Sequence, residues 1–210
     1  MSRLLYIQAS PRIKRSHSIA VADTFIETYK QNNPNDEITT LNVFEESLPA
    51  FDGLAVEAKY TILHGKEHSQ AQLQAWKKVE RVIEQFTSAD KYLLAVPMWN
   101  FSIPYRLKQY IDLLIQPGYT FSFSEEKGYE GLVVARPLLA IYARGGPYTP
   151  GTEAEVLDLQ TRYIEQIFRF IGFEDIHSVI IEPTLMGGPD VAEARRNAAI
   201  EEARKLALDF

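Results

Sequence analysis

Three short segments gather polar, aromatic or flexible residues directly after apolar runs. They are "SPRIKRSHS" (10–18), "VPMWNFSIPYRL" (96–107) and "YARGGPYTPG" (142–151). The first collects Ser10, Ser16, His17 and Ser18 with Arg12 and Arg15 at the start of a helical pattern. A serine there caps the helix, and the free N–H groups and positive dipole end of the first turn favour a phosphate. No glycine lies between Met1 and Gly53, so this loop is neither the glycine fingerprint of dinucleotide folds nor a Walker loop.

The second segment puts Trp99 and Phe101 around Asn100 where small turn residues are expected. Large apolar surface at a loop suits a planar aromatic ligand whose polar edge meets backbone N–H groups. The competing reading has both rings packing under a neighbouring insertion. In the third segment, Gly145 and Gly146 allow backbone to approach a ligand closely and permit the φ > 0 conformations that aim N–H groups at negative charge.

Cysteine is absent, which excludes thiolate nucleophiles, disulfides and cysteine metal sites, and fits a reducing, cytoplasmic compartment. A phosphatase or phospho-accepting domain would need a Cys-x₅-Arg loop or a strand-end carboxylate, and neither stands in these segments. His64, His68 and His177 are expected on the surface and no metal site is expected; Arg144, Arg195 and Arg196 are read as solvated. The net charge of −6 excludes a broad field attracting nucleic acid or anionic lipid. No stretch reaches the roughly 18 apolar residues of a membrane span.

The elements that must position these segments follow from periodicity. Apolar runs of strand length recur at 3–9, 37–43, 90–97, 136–143 and 178–183, and helical faces at 18–31, 70–86, 104–115, 153–172 and 191–210. Pro104 suits a first helical turn and Gly172 a helix stop. Five strands alternating with helices predict an α/β fold, a doubly wound five-stranded parallel sheet with helices on both faces, in one domain spanning 1–210. Ligands of such sheets sit beyond the carboxyl ends of the strands, where all three segments fall. Residues 44–69 form an insertion with a short helix expected near 53–63, serving as a lid, a dimer contact or extra surface packing.

Taken together, "QASPR", "SHS", "PMWNF", "LKQYIDLLIQPGYTF", "GLV", "ARGG" and "FIG" resemble the FMN-dependent NADH-azoreductases of the flavodoxin-like superfamily, relatives of the NAD(P)H quinone oxidoreductases. The likeness covers nearly the whole chain, and "PMWNF" followed by "RGG" is its specific part. It implies that Ser10, Ser16, His17 and Ser18 surround the FMN phosphate, and that Pro97, Met98, Trp99, Asn100 and Phe101 line the isoalloxazine, with the Asn100 and Phe101 N–H groups near N5 and O4. Ala143, Arg144, Gly145 and Gly146 would complete the cofactor site, the glycines by the N1–O2 edge.

The same resemblance implies a homodimer in which Phe123 and Phe170 close the pocket from the partner subunit, with Tyr148 as a further pocket residue. The activity it implies is a ping-pong cycle: NADH or NADPH gives a hydride to the flavin, then a quinone or azo acceptor takes two electrons. The chemistry belongs to the cofactor, so no catalytic side chain is assigned. The chain departs from the family in having Ala143 where a hydroxyl is frequent, Phe123 where tyrosine is frequent, and "PYTPG" where some members carry histidine. Lys59 is a candidate cation for the 2′-phosphate of NADPH. A flavin-holding electron carrier or regulatory protein is the alternative; the insertion and the Trp99 loop favour an enzyme.

Overall fold

The computed structural model describes residues 1–210 apart from the side chain of Leu63. Five parallel strands form the central sheet: β1 (Arg3–Gln8), β2 (Glu37–Asn42), β3 (Lys91–Pro97), β6 (Leu138–Ala143) and β7 (Ile176–Ile181), in the order β2-β1-β3-β6-β7. Between β3 and β6 the chain also builds a separate antiparallel hairpin, β4 (Phe121–Ser124) and β5 (Gly128–Gly131). The helices are α1 (His17–Asn32), α2 (Gly53–Leu63), α3 (Gln70–Thr87), α4 (Tyr105–Leu114), α5 (Leu159–Phe170) and α6 (Gly188–Asp209).

The strands read as continuous apolar runs because both faces are covered. Along β1, Leu5 and Ile7 enter the core shared with α3, α4 and α5, while Leu4 and Tyr6 enter the one shared with α1 and α6. In β6 the same alternation sends Leu138, Ala140 and Tyr142 one way and Leu139, Ile141 and Ala143 the other. On α6, Ala199, Ala203 and Ala207 recur at helical spacing and are buried, and this flat stripe lets α6 lie close against α1.

Boundaries differ from the sequence expectations in places with physical causes. The last strand begins two residues early, at Ile176, and ends before Glu182 and Pro183, because Pro183 has no N–H for a ladder. The helix expected from 153 starts only at Leu159: residues Glu153–Leu157 form a 3₁₀ turn, and the Asp158 carboxylate caps α5 by accepting from the Thr161 N–H at 2.9 Å. Pro104 precedes α4 as its N-cap rather than lying within the first turn. Gly172, at φ +114°, ends α5 as expected. The insertion holds α2, capped by Asp52, with Ala55 and Ala58 buried; α2 packs on α3, and most of the remaining described residues of the insertion are exposed.

The register brings Gln8, Pro97, Ala143 and Ile181 to one edge of the sheet: Gln8 pairs with Ala95, Pro97 with Ala143, and Ala143 with Ile181. Strand order reverses between β1 and β3, and the three segments singled out above follow β1, β3 and β6 at this edge.

Candidate functional site

The first loop turns through a single 3₁₀ turn, Ile13–Arg15, and enters α1 at Ser16. The Ser16 hydroxyl accepts from the Ile19 N–H at 3.4 Å and lies 3.2 Å from the Ser18 hydroxyl. Ser10, Ser16 and Ser18 are all buried, whereas Arg12, Lys14 and Arg15 are exposed. The N–H groups of His17 and Ser18, in the first turn of α1, have no helical acceptor by position. Buried Ser16 and Ser18 hydroxyls thus stand at the free N–H groups of the first turn of α1, with buried Ser10 at the end of β1.

His17 faces the neighbouring helix. Its ring lines a groove of about 430 Å³ with Thr184, Leu185, Ala192 and Arg196, and its buried Nδ1 finds no hydrogen-bond partner among the described residues. Burial, then the Arg196 and Arg12 guanidinium groups, push its pKa below the ordinary 6.5. These effects favour the uncharged imidazole, whose Nδ1 is left without a partner.

At the second loop the Met98 N–H donates to the Ala143 carbonyl at 2.8 Å, fastening this loop to the third. Trp99 and Ser102 then exchange reciprocal backbone hydrogen bonds, each 2.9 Å, around a two-residue turn. Both central residues are left-handed and neither is glycine: Asn100 has φ +47° and Phe101 φ +66°. Asn–Gly is the usual pair for this geometry, and a bulky residue in its second position is a true outlier. The turn points the Asn100 and Phe101 N–H groups away from any acceptor among the described residues. Trp99 packs 5.8 Å from the Phe44 ring at the start of the insertion, yet Trp99 is 36% exposed and Phe101 43% exposed. The packing alternative accounts for part of Trp99 and for none of Phe101, whose ring meets Tyr148 edge-on at 6.2 Å.

The third loop corrects two expectations. Gly145 and Gly146 do not adopt positive φ. Their value is space: a Cβ on Gly145 would lie 2.9 Å from Leu185 Cδ1, and one on Gly146 3.3 Å from Met186 Sδ. Their N–H groups, like those of the second loop, have no acceptor among the described residues. Arg144 is not solvated, being only 2% exposed. Its N–H donates to Ile181, its carbonyl accepts from the Thr184 N–H and hydroxyl, and its guanidinium pairs with Asp158 at 2.9 Å and Glu182 at 3.2 Å. Arg144 thus has its main-chain and guanidinium groups engaged within the scaffold. Ala143, buried at the end of β6, serves the crevice only as the anchor for Met98.

Within one chain, Phe123 and Phe170 stand apart from these loops. α5 begins at the crevice, where the Leu159 N–H donates to the Phe101 carbonyl at 3.0 Å, and Phe170 is its last residue. There Phe170 packs against Phe121 at 4.9 Å and Tyr129 at 5.6 Å, and Tyr129 against Phe123 at 4.9 Å. Phe123 and Tyr129 remain 61% and 65% exposed. Lys59 sits 5.9 Å above the Phe51 ring, beside α4. Sequence reasoning missed Asp158, Gln160, Glu182, Thr184 and Leu185; the signals were an Asp before the α5 pattern and a Glu at the end of the last strand.

A family model described as a flavodoxin-like fold matches residues 2–207. The FMN-dependent NADH:quinone oxidoreductase of Nitratidesulfovibrio vulgaris strain DP4 is 56% identical over the full length of both chains. That of Desulfotalea psychrophila is 46% identical, covering 99% of this chain and 96% of the relative. Among solved structures, an FMN-dependent NADH-azoreductase of Bacillus anthracis in complex with FMN superposes with a TM-score of 0.87 at 30% identity, covering 99% of this chain and 100% of that one. With that fold, that crevice and full-length relatives of this identity, the chain belongs to the flavodoxin-like family and, within it, to the FMN-dependent NADH:quinone oxidoreductases.

Proposed function

We propose that this chain binds FMN at the three-loop edge, takes a hydride from NADH and reduces quinones and azo compounds. One observation carries the reading: the left-handed pair Asn100 and Phe101, whose N–H groups are left free beside two partly exposed aromatic rings. Such a conformation costs on the order of 1–3 kcal/mol per residue and persists where the surroundings impose it, typically at ligand clamps.

The residues fit the cofactor. Ser10, Ser16, Ser18 and the first-turn N–H groups of α1 would hold its phosphate, and His17 Nδ1 gives that end an unsatisfied nitrogen. Trp99 and Phe101 would cover the ring system while the Asn100 and Phe101 N–H groups meet its polar edge. The Gly145 and Gly146 N–H groups would face the edge where negative charge collects on reduction, and fixed dipoles there favour the reduced form. When bound, FMN supplies the two-electron relay between NADH and the acceptor. Phe101 and Tyr148, whose rings meet edge to face, would wall one side of the space taken by both substrates.

Donor and acceptor share that space in turn, a ping-pong order. Initial rates against NADH at several quinone concentrations are expected to give parallel double-reciprocal lines; intersecting lines would contradict the shared site. The exposed Phe123 and Tyr129 on the hairpin support a homodimer in which this patch reaches the partner's crevice. Sedimentation at the mass of a single chain would contradict the dimer.

A further inference from the structure

We propose that Arg144 and Glu182 are positioning residues that set the separation of Tyr148 and Phe101, and with it the acceptors the pocket takes. The proposal rests on the reading of Phe101 and Tyr148 as pocket walls. The guanidinium, just after β6, ties α5 and its cap to the segment after β7. Its Nε donates to Gln160 Oε1 at 3.1 Å, Nη1 to Glu182 Oε2 at 3.2 Å, and Nη2 to Asp158 Oδ2 at 2.9 Å and to the Thr161 hydroxyl. Gln160, fully buried, passes the connection to β3 by donating from Nε2 to the Val96 carbonyl at 3.0 Å.

Each pocket wall hangs from this junction by one backbone hydrogen bond. On one side Glu182 Oε2 accepts from the Tyr148 N–H at 3.0 Å, with Oε1 3.4 Å from the Thr149 hydroxyl. On the other side the Phe101 carbonyl accepts from Leu159 N–H, the residue next to Asp158, which is both the cap of α5 and a partner of Arg144. The guanidinium carbon also lies 6.0 Å from the Tyr148 ring centroid, attracting its face. Tyr148 and Phe101 are therefore referenced to a single buried cation, through Glu182 and through Asp158.

The cluster carries one positive and two negative charges, with side-chain exposures of 1% for Arg144, 13% for Asp158 and 15% for Glu182. Removing Arg144 would leave two carboxylates without their cation and endanger folding. Glu182 is the safer probe, because glutamine keeps an acceptor for the Tyr148 N–H and alanine does not.

The test compares E182Q and E182A with the parent enzyme in two readouts. In the apo-protein, contact between the Tyr148 and Phe101 rings and slow exchange of the Tyr148 amide are read by NMR. In the FMN-loaded enzyme, KM and kcat are measured for a compact benzoquinone and a bulky naphthoquinone, together with the rate of flavin reduction by NADH. Loss of a hydrogen bond to a charged group corresponds to about a tenfold effect or more. E182A is expected to lose the ring contact and the amide protection, and to raise the quinone KM about tenfold with a smaller change in kcat. It should also blunt the discrimination between the two quinones, while E182Q restores the ring contact and most of the KM. If E182A lowers the melting temperature but keeps the ring contact and both quinone KM values, the network is structural only and the proposal falls. A parent protein that binds no FMN would instead overturn the reading of the site, with the NMR comparison still deciding whether Glu182 holds the loop.

Discussion

At the scale of single residues, Asn100 is the position where chain geometry and ligand chemistry meet. Asparagine tolerates the left-handed region because its short polar side chain can hydrogen-bond the local backbone, whereas a β-branched side chain there is a genuine outlier. Asn100→Ile is therefore expected to open the Trp99–Ser102 turn and weaken FMN at least about tenfold, the order of the 1–3 kcal/mol strain. Asn100→Gly should bind nearly as the parent does. Fluorescence quenching of FMN on titration measures both, and equal affinity for Asn100→Ile would contradict the role given to the turn.

His17 gives a pH dependence with a definite sign. Burial and two arginines hold its folded pKa below 6.5, so in the apo-protein the unfolded chain protonates first. Stability from this group is complete above pH 6.5 and is lost as pH falls from there through the depressed folded value. A phosphate held at the neighbouring hydroxyls would reverse the field and raise that pKa. The His17 ring proton, followed by NMR, should titrate below 6.5 without FMN and higher with it; an unmoved titration would place the phosphate elsewhere. Arg144 teaches the opposite lesson about legibility. Its type and place invited a surface or ligand role, because no local pattern shows that Asp158 and Glu182, distant in sequence, converge on it.

At the scale of elements, the central sheet was legible because a strand covered on both faces must be apolar at every position, and such runs stand out. The β4–β5 hairpin was not legible. Its strands, "FSFS" and "GYEG", have no fully buried position, so their order comes from docking on the end of α5 rather than from a pattern of their own. That docking depends on Gly131: a Cβ there would lie 2.3 Å from Gly172 N and Ile171 C, both backbone. Gly131→Ala should cost about 1–3 kcal/mol or more by overpacking, at roughly 2–4 °C of Tm per kcal/mol in a chain this long. Gly53→Ala, whose added methyl meets nothing within 4 Å, is the matched control and should leave Tm equal or higher. An unchanged Tm for Gly131→Ala would mean that the hairpin is not fixed to α5 in solution. The crevice loops were legible in composition and only partly in conformation: Ser16 caps α1 as its type suggested, while the glycines of the third loop provide clearance instead of positive φ.

At the scale of the whole molecule, the doubly wound topology explains why three segments far apart in sequence meet at one edge of the sheet. Parallel strands all end at the same edge, and the reversal between β1 and β3 opens a crevice there. In the proposed reading the strand ends supply donors and an apolar wall, and the electron chemistry comes with the cofactor. The most direct test is an anaerobic absorbance spectrum of the FMN-loaded protein, followed after NADH and then after a quinone. The flavin band should bleach on NADH addition and return with quinone. A protein that binds FMN and stays yellow with NADH would contradict the enzyme reading and leave a flavin carrier.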